Sequence, residues 1–321
     1  MRFATIAALV LALLFPGCSV ISIDFTPRIR PLREETVEGH GENKILLMDI
    51  SGLISDAEGG PILNIGTPPP RVPLLVRVRE ELKKAEQDPN VRALVLRINS
   101  PGGTVTASDI VYREILGFKQ TKKVPVVAVM LDVAASGGYY IALAADTIVA
   151  HPTTVTGSIG TIMISVNAEG LMQKIGVATM TIKSAEHKDM GSPFRAPTPE
   201  ERAIFQSVID DLQRQFVAKV VEHRRLAADV AATLADGRIY TAGQALASRL
   251  VDRIGYMPDA LAVARQAAGL TDAKVIVYHR AHEYRATYYA RADTPAPGME
   301  ALGPLAALGA TGPRFLYLWW P

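Results

Sequence analysis

The chain is almost without cysteine: its 321 residues contain one, Cys18. A single cysteine excludes an intramolecular disulfide, a cysteine-rich metal site and a CxxC redox pair. Excess charge of one sign is missing too. Lys plus Arg number 34 and Asp plus Glu 32, a formal net charge of +2. That balance argues against a protein whose main work is on nucleic acid, which usually carries a basic excess. HExxH is absent, as are GxxxxGK followed by Ser or Thr, and GxGxxG after a strand. These absences remove the best-known zinc-peptidase, phosphate-loop and dinucleotide patterns, and no metal or organic cofactor is implied. No fixed-period repeat or low-complexity tract is present. Charged residues are only 21% of the chain and hydrophobic ones 49%, which excludes wholesale disorder and provides for a sizeable core.

What is present begins with an address. Phe3 to Phe15 is an uncharged apolar run of thirteen residues behind Arg2. As a helix it rises ~20 Å, short of a ~30 Å hydrocarbon core, so it reads as the apolar region of a secretory signal. The run ends Leu14-Phe15-Pro16-Gly17-Cys18, which resembles a bacterial lipobox with Cys18 as the lipidation site. Phe15 and Pro16 depart from the small residues usual there, and an ordinary signal peptide or an uncleaved anchor is the alternative. The expected organisation is a lipoprotein-type signal peptide over 1–17, a polar tether over 18–43, one catalytic domain over 44–285 and a tail over 286–321.

Within the body, strand, turn and helix alternate. Lys44–Ile50, Ala93–Ile98, Pro125–Leu131 and Asp146–Ala150 are short apolar runs and read as buried strands. Val72–Gln87, about Ala107–Phe118 and Ala134–Ala145 read as helices, and the Pro/Gly-rich 55–71 and His151–Gly160 as loops. The order predicts an α/β fold with largely parallel pairing. Ala178–Lys183 is a weaker strand candidate. Thr198-Pro199-Glu200-Glu201 is a helix start, with Thr capping, Pro in the first turn and Glu201 completing a capping box. Ile204, Val208, Leu212, Phe216 and Val220 then form one apolar stripe, expected to bury in its own subunit rather than against a neighbour. The tail closes on Phe315 to Trp320, too short to span a bilayer and expected to dock on the body or on a neighbour.

Two glycine-bearing turns follow two of the strands: Asn99 to Gly103 and Ala135 to Gly138. In a parallel sheet both lie at the carboxyl ends of strands, where α/β proteins place their sites. Ser136 sits at a helix start, beside amides of Gly137 and Gly138 that have no partner within the helix. Gly103 can offer another donor. Backbone donors beside a hydroxyl suit acyl transfer through an oxyanion. Taken singly, these glycines also fit plain turns, and Ser136 also fits a helix cap.

Four runs taken together resemble the signal peptide peptidase A (SppA) family: NSPGG at 99–103, AASGGYYIALAAD at 134–146, TGSIG at 156–160 and IKSAEHKDMGSPF at 182–194. DGRIYTAGQALASRLVDRIG at 236–255 is similar to the same family, with Arg249 where glycine is usual. The resemblance implies a membrane-associated Ser–Lys serine endopeptidase of Clp-protease/crotonase-like fold, with repeated strand-turn-helix units and a helical C-terminal part. It implies Ser136 as nucleophile and Lys188 as general base. Gly103 and the Gly137 amide are the implied oxyanion donors, and Ser158 the residue that orients the lysine amine. It implies cleaved signal peptides and other small membrane-associated peptides as substrates. It also implies a ring-like homo-oligomer, in some members with the Ser and Lys from neighbouring subunits, at the extracytoplasmic face of the bacterial envelope. A lysine ordinarily keeps its proton to about pH 10.4, so a lysine base needs a desolvated setting and no carboxylate contact. Asp189 is therefore expected to point away from the Lys188 amine. His187 is the competing base, since histidine needs no such setting. A crotonase-type acyl-CoA enzyme and a non-catalytic peptide-binding lipoprotein are the other functions this scaffold could carry.

Overall fold

The structure, a computed structural model, describes residues 31–56, 72–280 and 314–319. The signal region, Cys18, residues 57–71 of the Pro/Gly-rich loop and most of the tail lie outside the described residues. The chain opens with strand β1 (Arg33–Glu38) and β2 (Lys44–Ser51), then helix α1 (Leu74–Gln87) and β3 (Val91–Ser100). The short β4 (Gly102–Thr104) leads into α2 (Val105–Lys122), β5 (Val126–Ala135) and α3 (Gly137–Ala142). Then come β6 (Thr147–Ala150), β7 (Val155–Gly157), β8 (Ile162–Ile164) and α4 (Glu169–Lys174). The second half is largely helical: α5 (Pro199–Arg224), α6 (Ala228–Leu234), β9 (Ile239–Thr241), α7 (Ala242–Ala247), β10 (Arg253–Ile254), α8 (Met257–Ala267) and β11 (Lys274–His279). A last strand, β12 (Arg314–Leu318), lies in the tail.

The expected α/β alternation is present, and the pairing is mostly parallel. The main sheet runs β1-β11-β2-β3-β5-β6-β10, with β7 extending from β5 and β9 paired to β7. In this sheet, among the described residues, only the β1–β11 and β7–β9 pairs are antiparallel. Both faces of the central strands are covered, which explains why they read as unbroken apolar runs rather than alternating ones. On β2, Leu46, Met48 and Ile50 pack toward α1, α2 and α3, while Ile45 and Leu47 pack toward Met257, Leu261 and Ala264 of α8. On β3, Leu94, Leu96 and Ile98 face the first cluster and Ala93 and Val95 the second.

Several elements differ from the local reading because their partners are distant in sequence. β1 falls inside the stretch read as a tether, where Arg33–Glu38 pairs with β11. The loop 151–160 contains β7, held by β5 on one side and β9 on the other. Ala134 and Ala135 belong to β5 rather than to the following helix, because Ala134 pairs with Ser100 and Thr156, and Ala135 with Gly157. Ala178–Lys183 forms no strand and is exposed. The capping box at Thr198 is formed as expected, the Glu201 amide donating to Thr198 Oγ1 at 3.1 Å. The stripe on α5 divides: Phe216 and Val220 are buried, whereas Val208 is exposed. The tail docks on the body, as β12 lies antiparallel between β4 and β8 in a second, three-stranded sheet.

Candidate active site

The two glycine turns meet at the carboxyl ends of β3 and β5. At the end of β3, Asn99 shapes the crossing: its Oδ1 accepts from the Val133 amide at 3.2 Å. Ser100 Oγ donates to Gly52 O at 2.6 Å and accepts from the Gly102 amide at 3.0 Å. The chain then turns through Gly102 at φ +106°, a conformation open to glycine and strained for other residues. Ile54 crosses the other side, its amide donating to Gly102 O at 2.9 Å and its carbonyl accepting from Thr104 N at 2.8 Å. Gly102 O and the Thr104 amide therefore both face Ile54. Alternation along the strand turns the Gly103 amide the opposite way, toward Tyr317, its partner in the β4–β12 register.

β5 delivers Ser136 at a sharp strand-to-helix turn. Its backbone sits at φ +52°, ψ −115°, a sparsely populated region that costs about 1–3 kcal/mol for a non-glycine residue. The strain is held by the Ser136 amide donating to Gly157 O at 2.7 Å and by Ser136 O accepting from Tyr140 N at 2.8 Å. The side chain does not cap the helix. Ser136 Oγ is buried and has no hydrogen-bond partner among the described residues. Helix capping is thus not the reason for a serine here.

Gly137 and Gly138 are glycines for lack of room. A Cβ on Gly137 would lie 2.4 Å from Ser108 Oγ, and one on Gly138 would lie 2.8 Å from Ser100 O. The Gly102 Cβ position is only 2.8 Å from the Gly137 amide nitrogen, so the two turns touch backbone to backbone. α3 is clamped from both sides. Tyr139 Oη donates to Leu250 O at 2.8 Å, and Tyr140 Oη to Asp109 Oδ1 at 2.8 Å. Burial, joined for Tyr140 by the Asp109 carboxylate, raises both phenols above their ordinary range.

Ser158 adjoins the same point. It follows Gly157, whose carbonyl takes the Ser136 amide, and is itself buried at φ +48° with its amide donating to Arg238 O at 2.8 Å. The structure therefore brings together Ser136, Gly137, Gly103 and Ser158. Lys188 stands apart within the single chain. It lies on the exposed 3-10 turn Glu186–Asp189, and no bond joins it to Ser136 or Ser158 among the described residues. His187 is no nearer to serving: its Nε2 stands 3.7 Å from Glu200 Oε1.

Asp189 is engaged by cations other than Lys188. Its carboxylate is taken by Lys183 Nζ at 2.8 Å and by Arg195, whose Nε donates at 2.9 Å. These two cations hold the carboxyl well below its usual range. Arg195 also hydrogen-bonds Glu201 and thereby ties the Lys188 turn to the start of α5; the same contact lowers Glu201 to about 2. Local reading missed Ser100, Ser108 and Asp109, whose roles exist only across elements. Arg249 occupies φ +57°, a left-handed position that favours glycine, the residue the family resemblance implies there.

A family model described as Peptidase family S49 matches residues 118–271. A protein of Enterococcus faecium named for signal peptide peptidase SppA is 37% identical over 257 residues, covering 77% of this chain and 70% of its own. A protein of Synechocystis sp. named for a protease is 44% identical over 193 residues, covering 60% and 69%. Among solved structures, a ClpP1 variant from Listeria monocytogenes superimposes with a TM-score of 0.43 at 19% identity, covering 67% of this chain and 94% of that one.

Proposed function

The chain belongs to peptidase family S49, a family of serine peptidases, and on that premise we propose that it is a membrane-associated Ser–Lys endopeptidase that degrades cleaved signal peptides and other small membrane-associated peptides. One observation carries the chemistry: a strained, buried serine whose hydroxyl is committed to nothing, set against the Gly137 amide. Ser136 Oγ attacks the substrate carbonyl. The oxyanion forms between the amides of Gly103 and Gly137, where fixed donors stabilise it without reorganisation. Lys188 takes the hydroxyl proton and later returns it to the leaving amine, and Ser158 orients the lysine amine.

In one chain Lys188 lies on an exposed turn, and no bond among the described residues joins it to Ser136. We therefore assign the base to a neighbouring copy in a ring-like homo-oligomer. The segment around Lys188 supports this reading. Met180 is 89% and Ile182 91% exposed, and Val166, Leu171, Ile175 and Phe194 of the same 166–194 segment are exposed as well. A concentration of exposed apolar side chains of this kind marks an interaction surface. Coverage by a neighbour would desolvate the lysine while Asp189 stays engaged by Lys183 and Arg195. Cys18, lipidated, would hold the assembly at the extracytoplasmic face of a bacterial envelope membrane; no helix among the described residues is long and apolar enough to cross one.

Mixing Ser136→Ala with Lys188→Ala subunits tests the assignment. Each variant alone is expected to be inactive, with activity recovered in the mixture. Serine-probe labelling that survives Ser136→Ala would overturn the nucleophile. Full activity of Lys188→Ala with loss in His187→Ala would overturn the base. Cys18→Ser is expected to move the protein from the membrane to the soluble fraction.

A further inference from the structure

Ser158 takes its conformation from a segment remote in sequence. It sits at φ +48°, directly after Gly157 at φ +82°. Left-handed backbone at a residue other than glycine is unfavourable on its own, so its surroundings have to hold it. β9 supplies the backbone part of that hold. Gly157 pairs with Ile239, and the Ser158 amide donates to Arg238 O at 2.8 Å. The Asp236 carboxylate accepts from the Arg238 amide at 3.1 Å and from Arg238 Nε at 2.8 Å, which keeps the turn into β9 closed.

Two side chains then staple the turn, one on each flank of Ser158. Tyr240 lies against the residue before it. A Cβ on Gly157 would stand 2.4 Å from the Tyr240 ring at Cδ2, and the Tyr240 hydroxyl donates to Leu234 O at 2.9 Å. Gln213 of α5 lies against the residue after it. Its Nε2 donates to Ala235 O at 2.9 Å and reaches Ile159 O at 3.4 Å. Leu234 is the last residue of α6 and Ala235 its cap, where helix carbonyls lack partners within the helix. Both staples therefore tie the Gly157–Ile159 turn to the end of α6.

Gln213 is held in a way that stability alone does not favour. Facing two carbonyls fixes the orientation of its amide, because only Nε2 can donate to them. Oε1 is then buried with no hydrogen-bond partner among the described residues. A buried, unpaired carbonyl is destabilising, and an apolar side chain of similar length would avoid the penalty. Local rules broken in this way collect at functional sites, and Gln213 reaches the residue next to Ser158.

We infer that Gln213 and Tyr240 are positioning residues for the reaction: together they set the backbone of Ser158, and through it the direction from which Ser158 Oγ meets the lysine amine. The inference rests on the peptidase reading for the role of Ser158, but the stapling itself does not depend on catalysis. Neither side chain bonds the Ser136 hydroxyl among the described residues. Their loss therefore acts on proton transfer and not on substrate binding, so kcat falls while KM holds.

The test compares the full-length protein with Gln213→Met, Tyr240→Phe and Ser158→Ala, and with each of the first two combined with Ser158→Ala. Methionine and phenylalanine keep the bulk of the side chain and remove the donor. On a fluorogenic peptide carrying a signal-peptide sequence, kcat is expected to fall about tenfold in Gln213→Met and in Tyr240→Phe with KM unchanged, and about 10²-fold in Ser158→Ala. Each double variant is expected to match Ser158→Ala alone, because a side chain that acts through Ser158 then has nothing left to act on. Unchanged kcat in both single variants, or losses that multiply with that of Ser158→Ala, would overturn the proposal and leave the peptidase reading standing. Amide hydrogen exchange over residues 155–161 supplies a readout without catalysis and is expected to quicken in both single variants. Quickened exchange there, with no hydrolysis by any form, would uphold the stapling and overturn the peptidase reading, whereas unchanged exchange would overturn the proposal.

Discussion

Gly102→Ala puts the geometry of the site to its sharpest test. Gly102 lies at φ +106°, and a non-glycine residue there costs about 1–3 kcal/mol in backbone strain. The added methyl would also lie 2.0 Å from Tyr317 O and 2.8 Å from Gly137 N, both backbone atoms. Overpacking of that kind typically adds about 1–3 kcal/mol, so the whole loss is about 2–6 kcal/mol. At roughly 2–4 °C per kcal/mol for a domain of about this size, the melting temperature should fall by about 4–24 °C. Gly52→Ala is the control: Gly52 is also left-handed, at φ +76°, but nothing lies within 4 Å of its Cβ position. It should lose only the strain, about 1–2 kcal/mol. Activity separates the two further. On the proposed mechanism, pushing the Gly137 amide out of line removes one oxyanion donor, worth about 10²–10³ in kcat, whereas Gly52→Ala should turn over substrate nearly normally. A tail that simply lets go would relieve only the clash with Tyr317 O; the strain at φ +106° and the contact with Gly137 N remain, so stability would fall less and activity would still be lost. Thermal melts and kcat on a peptide substrate read both quantities. Equal melting temperatures for the two variants, with activity kept in Gly102→Ala, would refute the argument that the turns meet here.

Three further outcomes are expected. Ser136→Gly should abolish hydrolysis yet raise stability by about 1 kcal/mol, because glycine relieves the strain at φ +52°, ψ −115° and returns part of that gain as unfolded-chain entropy; a fall in melting temperature would contradict it. Arg249→Gly should stabilise by about 0.5 kcal/mol without touching activity, since φ +57° suits glycine and the bond from Arg224 Nε reaches only the backbone carbonyl. Glu81 is buried beside Arg77, and burial outweighs the arginine, pushing its carboxyl up to about 7. A raised pKa contributes stability below the ordinary value near 4.5 that is lost as pH rises through about 7, up to about 3 kcal/mol in all. Chemical denaturation of Glu81→Gln between pH 4.5 and 8 should show a flatter dependence than the unsubstituted protein, and identical slopes would count against that assignment.

Much of the fold was legible because its causes are local. The apolar runs at Lys44–Ile50 and Ala93–Ile98 lie within β2 and β3, and the Thr198 box starts α5 where the spacing placed it. Other features failed locally for a single reason: their partners are remote. β1 needs β11, β7 needs β5 and β9, and Ala134 is a strand residue only because Ser100 and Thr156 flank it. Phe216 and Val220 bury while Val208 does not, although periodicity treats the three alike. The site divides in the same way. The motifs pointed to Ser136, Gly137, Gly103 and Ser158, which the fold brings together, but motifs could not place Lys188 on an exposed turn or a tail carbonyl beside two glycines.

The sequence by itself determined the central buried strands β2 and β3, the capped start of α5 and which residue types stand at the turns, since periodicity, caps and glycine are properties of a few consecutive residues. Only the tertiary structure decided which glycine turns left-handed, why Ser136 is a strained, unpartnered hydroxyl rather than a cap, and what fills the gap between β4 and β8. Those outcomes depend on contacts of a few ångströms between segments many residues apart, which the folded backbone alone sets.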